Sequence, residues 1–173
     1  MLKRRPLASE FEGFYETYIN NIESADICGF LSSQYATHVS FYQSLTEDQW
    51  MYRYAEGKWS IKDVLNHIID SERVFSYRAM RISRNDKTEL PGFDQDVFVE
   101  HAHADKRSSE SLITEYVQVR QASIALFSNM SDEACTIVGN ASGFLFTPIG
   151  VSYMIAGHDH HHMKIIEERY MEA

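Results

Sequence analysis

The sequence of 173 residues contains little cysteine, proline or positive charge. Its two cysteines, Cys28 and Cys135, lie far apart and without CxxC spacing, which argues against a thiolate metal site or a disulfide framework. The sequence has 16 Lys and Arg and 25 Asp and Glu, and the resulting net charge of −9 disfavours nucleic-acid binding. The sequence also lacks an apolar run that suits a membrane span or a signal peptide, so a cytoplasmic location is expected by default.

Long tracts between the prolines show apolar residues every three or four positions, the pattern of amphipathic helices. The length and the 44% hydrophobic content predict one domain over residues 1–173. Four long segments are predicted to be helical: 24–45, 60–84, 109–130 and 147–170. A shorter helix or an ordered arm is predicted over 11–22. Because no stretch shows the alternation of a strand, the sequence predicts an all-α four-helix bundle.

Residues at the predicted helix starts are suited to capping. Ser24 and Ser60 are the predicted N-caps of the first and second long helices, and Thr147 is that of the last. Two connections, 85–107 and 139–146, are predicted to be non-helical. The first is long for a bundle, and long ordered loops often cover or line a site.

Four of the eight histidines fall within residues 158–162. On a helix, His158 and His162 lie about 40° apart and one turn along, so their side chains converge. The apolar pattern turns these two and His161 toward the core, whereas His160 points away. A divalent cation would satisfy buried imidazoles that otherwise need a polar partner. A solvated, histidine-rich helix end is the alternative interpretation.

His67 lies at the edge of the inner stripe of the second long helix, where it can face across the bundle. Two histidines from one helix and one from another, with open positions for water or substrate, are typical of a catalytic metal site. A core histidine bonded to a neighbouring side chain is the alternative for His67. His38 is predicted to be structural, and His101 and His103 are predicted to be exposed.

Three segments, in this order, resemble the DinB-like (YfiT-like) superfamily: the stretch 54–73, which begins Tyr-Ala-Glu-Gly-Lys-Trp, the loop Leu-Pro-Gly-Phe-Asp-Gln-Asp over 90–96, and the histidine-rich stretch over 156–170. The likeness covers nearly the whole chain. It implies a four-helix bundle, usually dimeric, in which one histidine of the second helix and an HxxxH pair of the last surround a metal ion. The matching positions are His67, His158 and His162, and His161 leaves open which neighbour faces the ion.

Members of this family with known activity include metal-dependent transferases of low-molecular-weight thiols, a thiol-dependent isomerase and proteins described as metal-dependent hydrolases. The resemblance therefore implies a divalent metal, Ni or Zn first and Fe, Mn or Co as alternatives. It also implies a small-molecule substrate, for which a low-molecular-weight thiol is one candidate. A homodimer is expected from the resemblance and from the 13% aromatic content.

The leading hypothesis is thus a metal-dependent transferase or hydrolase. A non-catalytic metal- or ligand-binding bundle is the alternative, followed by a structural bundle whose histidines are incidental. No catalytic residue beyond the ligands is assigned. Asp70, one turn beyond His67, is tentatively expected to orient that histidine or a bound water, with a solvated or helix-paired carboxylate as the alternative. Glu72 is expected to pair with Arg73 or Arg78.

Overall fold

The computed structural model describes residues 3–171, and four long helices form its body: α2 (Ile27–Ser44), α4 (Ile61–Ser83), α6 (Ser109–Ser128) and α8 (Pro148–Tyr170). Short helices stand between or before them: α1 (Glu16–Ile19), α3 (Glu47–Met51), α5 (Gln95–Ala102) and α7 (Asp132–Cys135). The prediction of an all-α four-helix bundle is confirmed. Within residues 3–171, no helix has both the length and the apolar character needed to cross a membrane.

The long helices do not pack in the order of the sequence. Helix α4 packs against α6 and α8, and α2 packs against the same two helices. The order around the bundle is therefore α2, α6, α4, α8, with α2 diagonal to α4. The short helix α1 lies on α8. This arrangement places α4, which carries His67, directly beside α8, which carries the histidine-rich stretch.

Two apolar clusters fill the bundle, and a polar layer separates them. On α8, Ile149–Ala156 contribute to the first cluster, and Met163 and Ile166 contribute to the second. On α2, α6 and α8, polar side chains lie between the contributions to the two clusters, and on α4 they begin at His67, near the end of the contribution to the second cluster. This polar layer consists of Gln34, His38, His67, Ser71, Glu72, Arg120, Ser123, His158, Asp159 and His162. Polar groups at this depth need hydrogen-bond partners or ligands.

The observed caps agree with two of the three predictions. Ser60 and Thr147 cap α4 and α8 as expected. The prediction that Ser24 caps the first long helix is wrong, because Asp26 accepts the hydrogen bond of Gly29 N over 3.1 Å and the helix begins one residue after Asp26. An aspartate two residues downstream offers an equally good acceptor, and spacing alone does not distinguish the two.

The long connection contains a helix that the sequence pattern does not reveal. Asp94 Oδ1 accepts from the backbone nitrogens of Asp96 and Val97, at 2.9 and 3.2 Å, and this cap begins α5. The helix has eight residues and no buried side chain, so its sequence shows no inner stripe. Residues of this connection nevertheless line cavities beside the histidines.

The stretch 139–146 is non-helical as predicted but forms an unpredicted hairpin. Strands β1 (Gly139–Ala141) and β2 (Phe144–Phe146) pair antiparallel, with Asn140 opposite Leu145. Strands of three residues are too short to show alternation in the sequence. Leu90 joins β1 through a parallel bridge, which ties the long connection to the hairpin.

Candidate metal centre

His67 lies about two turns into α4, whose start is fixed by a reciprocal cap. Ser60 Oγ accepts from Asp63 N at 3.1 Å, and Asp63 Oδ2 accepts from Ser60 N at 3.0 Å. This capping box satisfies two backbone donors at the helix start. His67 is buried and faces α8, and the ring of Trp59 lies 4.9 Å from its own.

His158 and His162 lie one turn apart on α8. The helix starts at Pro148, and Thr147 Oγ1 accepts from Gly150 N at 3.2 Å. His158 is buried and His162 is half-buried. Both project toward α4, as the apolar stripe of this helix predicts.

A glycine beside His158 lets α1 approach α8 closely. A Cβ atom on Gly157 would lie 2.1 Å from the carbonyl oxygen of Tyr18, a distance that backbone atoms cannot tolerate. With glycine in place, the ring of Tyr18 meets that of His158 edge to face at 5.5 Å. The N-terminal segment thereby covers part of the histidine cluster.

The three histidines bring their ring nitrogens together. His158 Nε2 lies 3.0 Å from His67 Nε2 and 3.1 Å from His162 Nε2, and the three candidate ligand atoms lie within 4.8 Å of one another. Two nitrogens bound to one ion at about 2.1 Å each lie roughly 3.0–3.4 Å apart for angles between about 90° and 109°. The nitrogen separations around His158 therefore fit a shared divalent ion.

Burial keeps these imidazoles uncharged. It lowers the pKa of His67 to about 4, and burial followed by the neighbouring His67 lowers the pKa of His162 to about 3. Burial and the two neighbouring imidazoles hold the pKa of His158 well below its usual range. At pH 7 all three rings are neutral, which is the form that binds a metal ion.

Behind the histidines, Arg120 forms the centre of a buried ion-pair network. Its Nε atom donates to both oxygens of Glu72, at 2.9 and 3.0 Å, and its Nη2 atom donates to Asp159 Oδ2 at 2.8 Å. Its Nη1 atom donates to Gln34 Oε1 at 3.0 Å. Four helices are joined through this one guanidinium, and Asp159 directly follows His158 in the chain.

Asp159 accepts two further hydrogen bonds. Tyr116 donates its hydroxyl at 2.6 Å, and His38 donates from Nδ1 at 3.1 Å. Burial raises the pKa of this carboxyl, but His38 and Arg120 outweigh it and hold the pKa below its usual range. Asp159 is therefore ionised, and its bonds fix the rotation of α8 at the position of the histidines.

The prediction that Glu72 pairs with Arg73 or Arg78 is wrong. Glu72 pairs with Arg120 of α6, whereas Arg73 lies 2.6 Å from Glu115 and Arg78 donates to the carbonyl of Pro91 at 2.7 Å. The true partner lies on a neighbouring helix, and helical spacing within α4 does not show it.

Two cavities reach the histidines through different residues. The first, the Trp59 cavity, has a volume of about 270 Å³ and is lined by Tyr54, Lys58, Trp59, Asp96, Tyr170 and His162. The second, the Phe75 cavity, has a volume of about 250 Å³, and its lining includes Tyr15, Tyr18, Phe75, Phe93, His67 and His158. A small molecule has access to the cluster from either cavity.

The other histidines of α8 take different places. His160 is exposed, as predicted from its position on the helix. His161 is half-buried and its ring lies 5.1 Å from that of Tyr18. His161 does not belong to the group of converging ligand atoms, which consists of His67, His158 and His162.

The predictions for the histidines outside α4 and α8 agree with the structure. His38 is buried in the polar layer and bonded to Asp159, which is a structural role. His101 and His103 are exposed in and after α5. Neither of these two lines the Phe75 cavity or the Trp59 cavity.

Asp70 accepts a hydrogen bond from Asn66 Nδ2 at 2.8 Å and lies 3.6 Å from Arg73 Nη1. Burial raises the pKa of its carboxyl. These contacts are those of a helix-paired carboxylate, the alternative weighed for this residue. A role for Asp70 toward His67 or a bound water stays a prediction.

Sequence reasoning did not single out Tyr18, Ser71, Arg120 or Asp159. Arg120 follows Tyr116 by one helical turn, so the sequence places a cation on the inner side of α6, and this position could have indicated a buried ion pair. Asp159 lies within the histidine-rich stretch, and a carboxylate next to inward-facing histidines could have indicated a buried polar network. No sequence signal identifies Tyr18 or Ser71, because their positions depend on how α1 and α4 pack.

The chain is similar to known proteins in sequence and in fold. A family model of the DinB superfamily matches residues 31–166. Among solved structures, YfiT from Bacillus subtilis, described as a probable metal-dependent hydrolase with an unusual four-helix bundle topology, superposes with a TM-score of 0.68. The two sequences are 17% identical, and the match covers 96% of this chain and 91% of that chain. No curated protein sequence matches.

Proposed function

This chain belongs to the DinB superfamily, and we propose that it is a metal-dependent enzyme that acts on a small molecule through an ion held by His67, His158 and His162. One observation carries the proposal. Three uncharged, inward-facing imidazoles from two helices bring their ligand atoms within 4.8 Å of one another. Three protein ligands leave positions for other molecules, which is the feature of a catalytic rather than a structural site.

Nitrogen ligands favour Zn, Ni, Fe or Cu over Mg and Ca. We propose nickel or zinc, with iron, manganese or cobalt as alternatives. A bound ion of this kind supplies Lewis acidity, which lowers the pKa of a thiol or a water molecule. The residues of the chain contribute the neutral ligands, the burial that keeps them neutral, and the Asp159 bonds that hold α8 in register with α4.

Hydrolysis and thiol transfer are the two reaction types proposed. The description of YfiT as a probable metal-dependent hydrolase supports the first, since the two chains share a fold. Thiol transfer follows from the same chemistry, with a thiol in place of water as the activated nucleophile. A non-catalytic binding bundle is the alternative. The two cavities that reach the histidines favour an enzyme, because they give more than one reactant access to the ion.

Turnover with matched probes tests the proposal. The metal-loaded protein is given 4-nitrophenyl acetate in water, or 1-chloro-2,4-dinitrobenzene with cysteine or glutathione, and release of product is followed by absorbance. His162→Ala should abolish the metal-dependent rate, whereas His160→Ala, an exposed position on the same helix, should keep it. Equal rates in the wild type and in His162→Ala would contradict an ion-dependent reaction at this cluster.

We also propose that the protein forms a homodimer. In and beside the hairpin, Val138, Phe144 and Leu145 expose apolar side chains, which a partner copy would cover. Light scattering at micromolar concentration should give twice the chain mass of 20.0 kDa. The mass of one chain would contradict the dimer and leave the metal site unaffected.

A further inference from the structure

The lining of the Phe75 cavity is mostly aromatic and contains no acidic, lysine or arginine side chain. Five of its side chains are aromatic: Phe14, Tyr15, Tyr18, Phe75 and Phe93. The others are Ser71, Gln95, His67 and His158, so none of the described residues that line it is an acid, a lysine or an arginine. The Trp59 cavity differs, because Lys58 and Asp96 line it.

The walls of the Phe75 cavity touch the candidate metal ligands directly. The ring of Tyr18 lies 5.5 Å from that of His158, and the ring of Phe75 lies 5.7 Å from it on another side, both edge to face. Tyr15 extends the wall, with its ring 6.3 Å from that of Phe75. A molecule held between these rings therefore lies beside the nitrogens of His67 and His158.

Ser71 provides the second, independent observation. It follows His67 by one helical turn, it is 1% exposed, and it lines the Phe75 cavity. Its hydroxyl has no hydrogen-bond partner among the described residues. A helical serine ordinarily donates to a backbone carbonyl of the preceding turn, as Ser83 does to Met80 and Ser152 to Ile149. A buried hydroxyl left without such a bond points to a partner that arrives with the ligand.

We propose that the Phe75 cavity binds the substrate through an uncharged apolar group, of the size of one substituted ring, with a polar atom that hydrogen bonds to Ser71. The inference rests on the proposed function for the reaction, but the binding itself does not require turnover. A volume of about 250 Å³ lies below the roughly 300–1,000 Å³ of sites for drug-sized ligands, which sets the size.

Charge selects among candidate ligands. None of the side chains that line the cavity is cationic, so an anion would pair with the bound ion and not with the walls. A cation would be attracted by the aromatic faces, but an ion on His67 and His158 would repel it at close range. An uncharged ring with one hydrogen-bonding substituent satisfies both the aromatic walls and Ser71.

Binding of simple probes tests this inference. Benzamide and toluene share a ring, and only benzamide carries a hydrogen-bonding group. Their dissociation constants are measured by NMR titration of metal-loaded wild type, Ser71→Ala and the matched control Ser83→Ala. We expect benzamide to bind Ser71→Ala about threefold to tenfold more weakly than wild type, as one neutral hydrogen bond predicts, and toluene to bind both equally. The Ser83→Ala variant should bind both probes as wild type does.

Thermal unfolding separates a ligand-binding role of Ser71 from a structural one. Because its hydroxyl makes no bond within the described residues, Ser71→Ala should melt no lower than wild type while it binds benzamide more weakly. Unchanged benzamide binding in Ser71→Ala would overturn the inference. So would phenyltrimethylammonium binding more tightly than benzamide, because the cavity would then select a cation.

The same measurements distinguish this inference from the proposed metal site. If metal analysis finds no ion but benzamide binding still depends on Ser71, the cavity assignment stands and the metal-dependent function fails. If the ion is present and no probe binds, the cavity assignment fails and the metal site stands.

Discussion

The guanidinium of Arg120 and the carboxylate of Asp159 meet across 2.8 Å with both side chains buried, and they tie α6 to α8 beside His158. A second carboxylate, Glu72 of α4, bonds the same guanidinium at 2.9 Å. One cation therefore faces two anions, and His38 and Tyr116 donate the remaining bonds to Asp159. The network holds α8 at the height at which its histidines meet His67.

Removing the cation of this network should be costly. Arg120→Met leaves Glu72 and Asp159 buried without their partner, and the free energy of unfolding should fall by about 3–5 kcal/mol. Lys164→Met is the matched control, because its pair with Glu168 is exposed and should contribute less than about 1 kcal/mol. Urea unfolding measures both variants. A loss of the same size in the two would show that burial of the network adds nothing.

The depressed pKa values of the histidines predict acid sensitivity of the metal-free protein. Above about pH 6.5 the rings are neutral in both the folded and the unfolded state. The pKa in the folded protein is about 4 for His67 and about 3 for His162. As the pH falls from 6.5 toward these values, the unfolded state binds protons that the folded state does not bind. The contribution of these histidines to the free energy of unfolding is therefore complete above the pKa of the unfolded chain, about 6.5. It is lost on acidification, by about 1.4 kcal/mol per pH unit for each histidine.

His67→Gln removes this contribution and, with it, the effect of His67 on the pKa values of His158 and His162. Urea unfolding of metal-free protein at pH 7.5, 6.0 and 5.0 should show a shallower loss of stability in the variant than in wild type. Parallel pH profiles would mean that His67 takes up its proton as readily in the folded protein as in the unfolded chain.

Bound metal should raise the melting temperature, and the effect should survive mild acid. An ion that binds only the folded state stabilises it by mass action. Protons compete for the ligands only when the folded apo-protein accepts them, near pH 4 or lower for His67 and His162. We therefore expect metal-loaded protein to melt above chelator-treated protein at pH 7.5 and at pH 5.5, with the gap closing toward pH 4. A gap that closes near pH 6.5 would indicate accessible, unperturbed histidines.

The sequence predicted the long helices, and with them the place of the histidines. The apolar stripe of α8 passes through 158 and 162 and leaves His160 outside, and the structure agrees. Local signals of this kind, helical period and capping residues, involve residues a few positions apart. They also explain the error at Ser24, since Asp26 satisfies the same local rule.

Features that depend on contacts between helices could not be predicted in the same way. The Glu72 partner lies 48 residues away on α6, and Tyr18 meets His158 only because Gly157 lets α1 approach. The unpartnered hydroxyl of Ser71 is likewise a property of the packed bundle. Helix α5 lacked a signal for a different reason, because none of its side chains is buried.

Metal content per chain decides whether His67, His158 and His162 form one site. Purified wild type, the three single alanine variants and His160→Ala are analysed for bound metal after dialysis without added ions. We expect about one divalent ion per chain in wild type and in His160→Ala, and almost none when any one of the three ligands is lost, because each supplies one third of the protein coordination. Stoichiometric metal in His162→Ala, or its loss from His160→Ala, would contradict the three-histidine site.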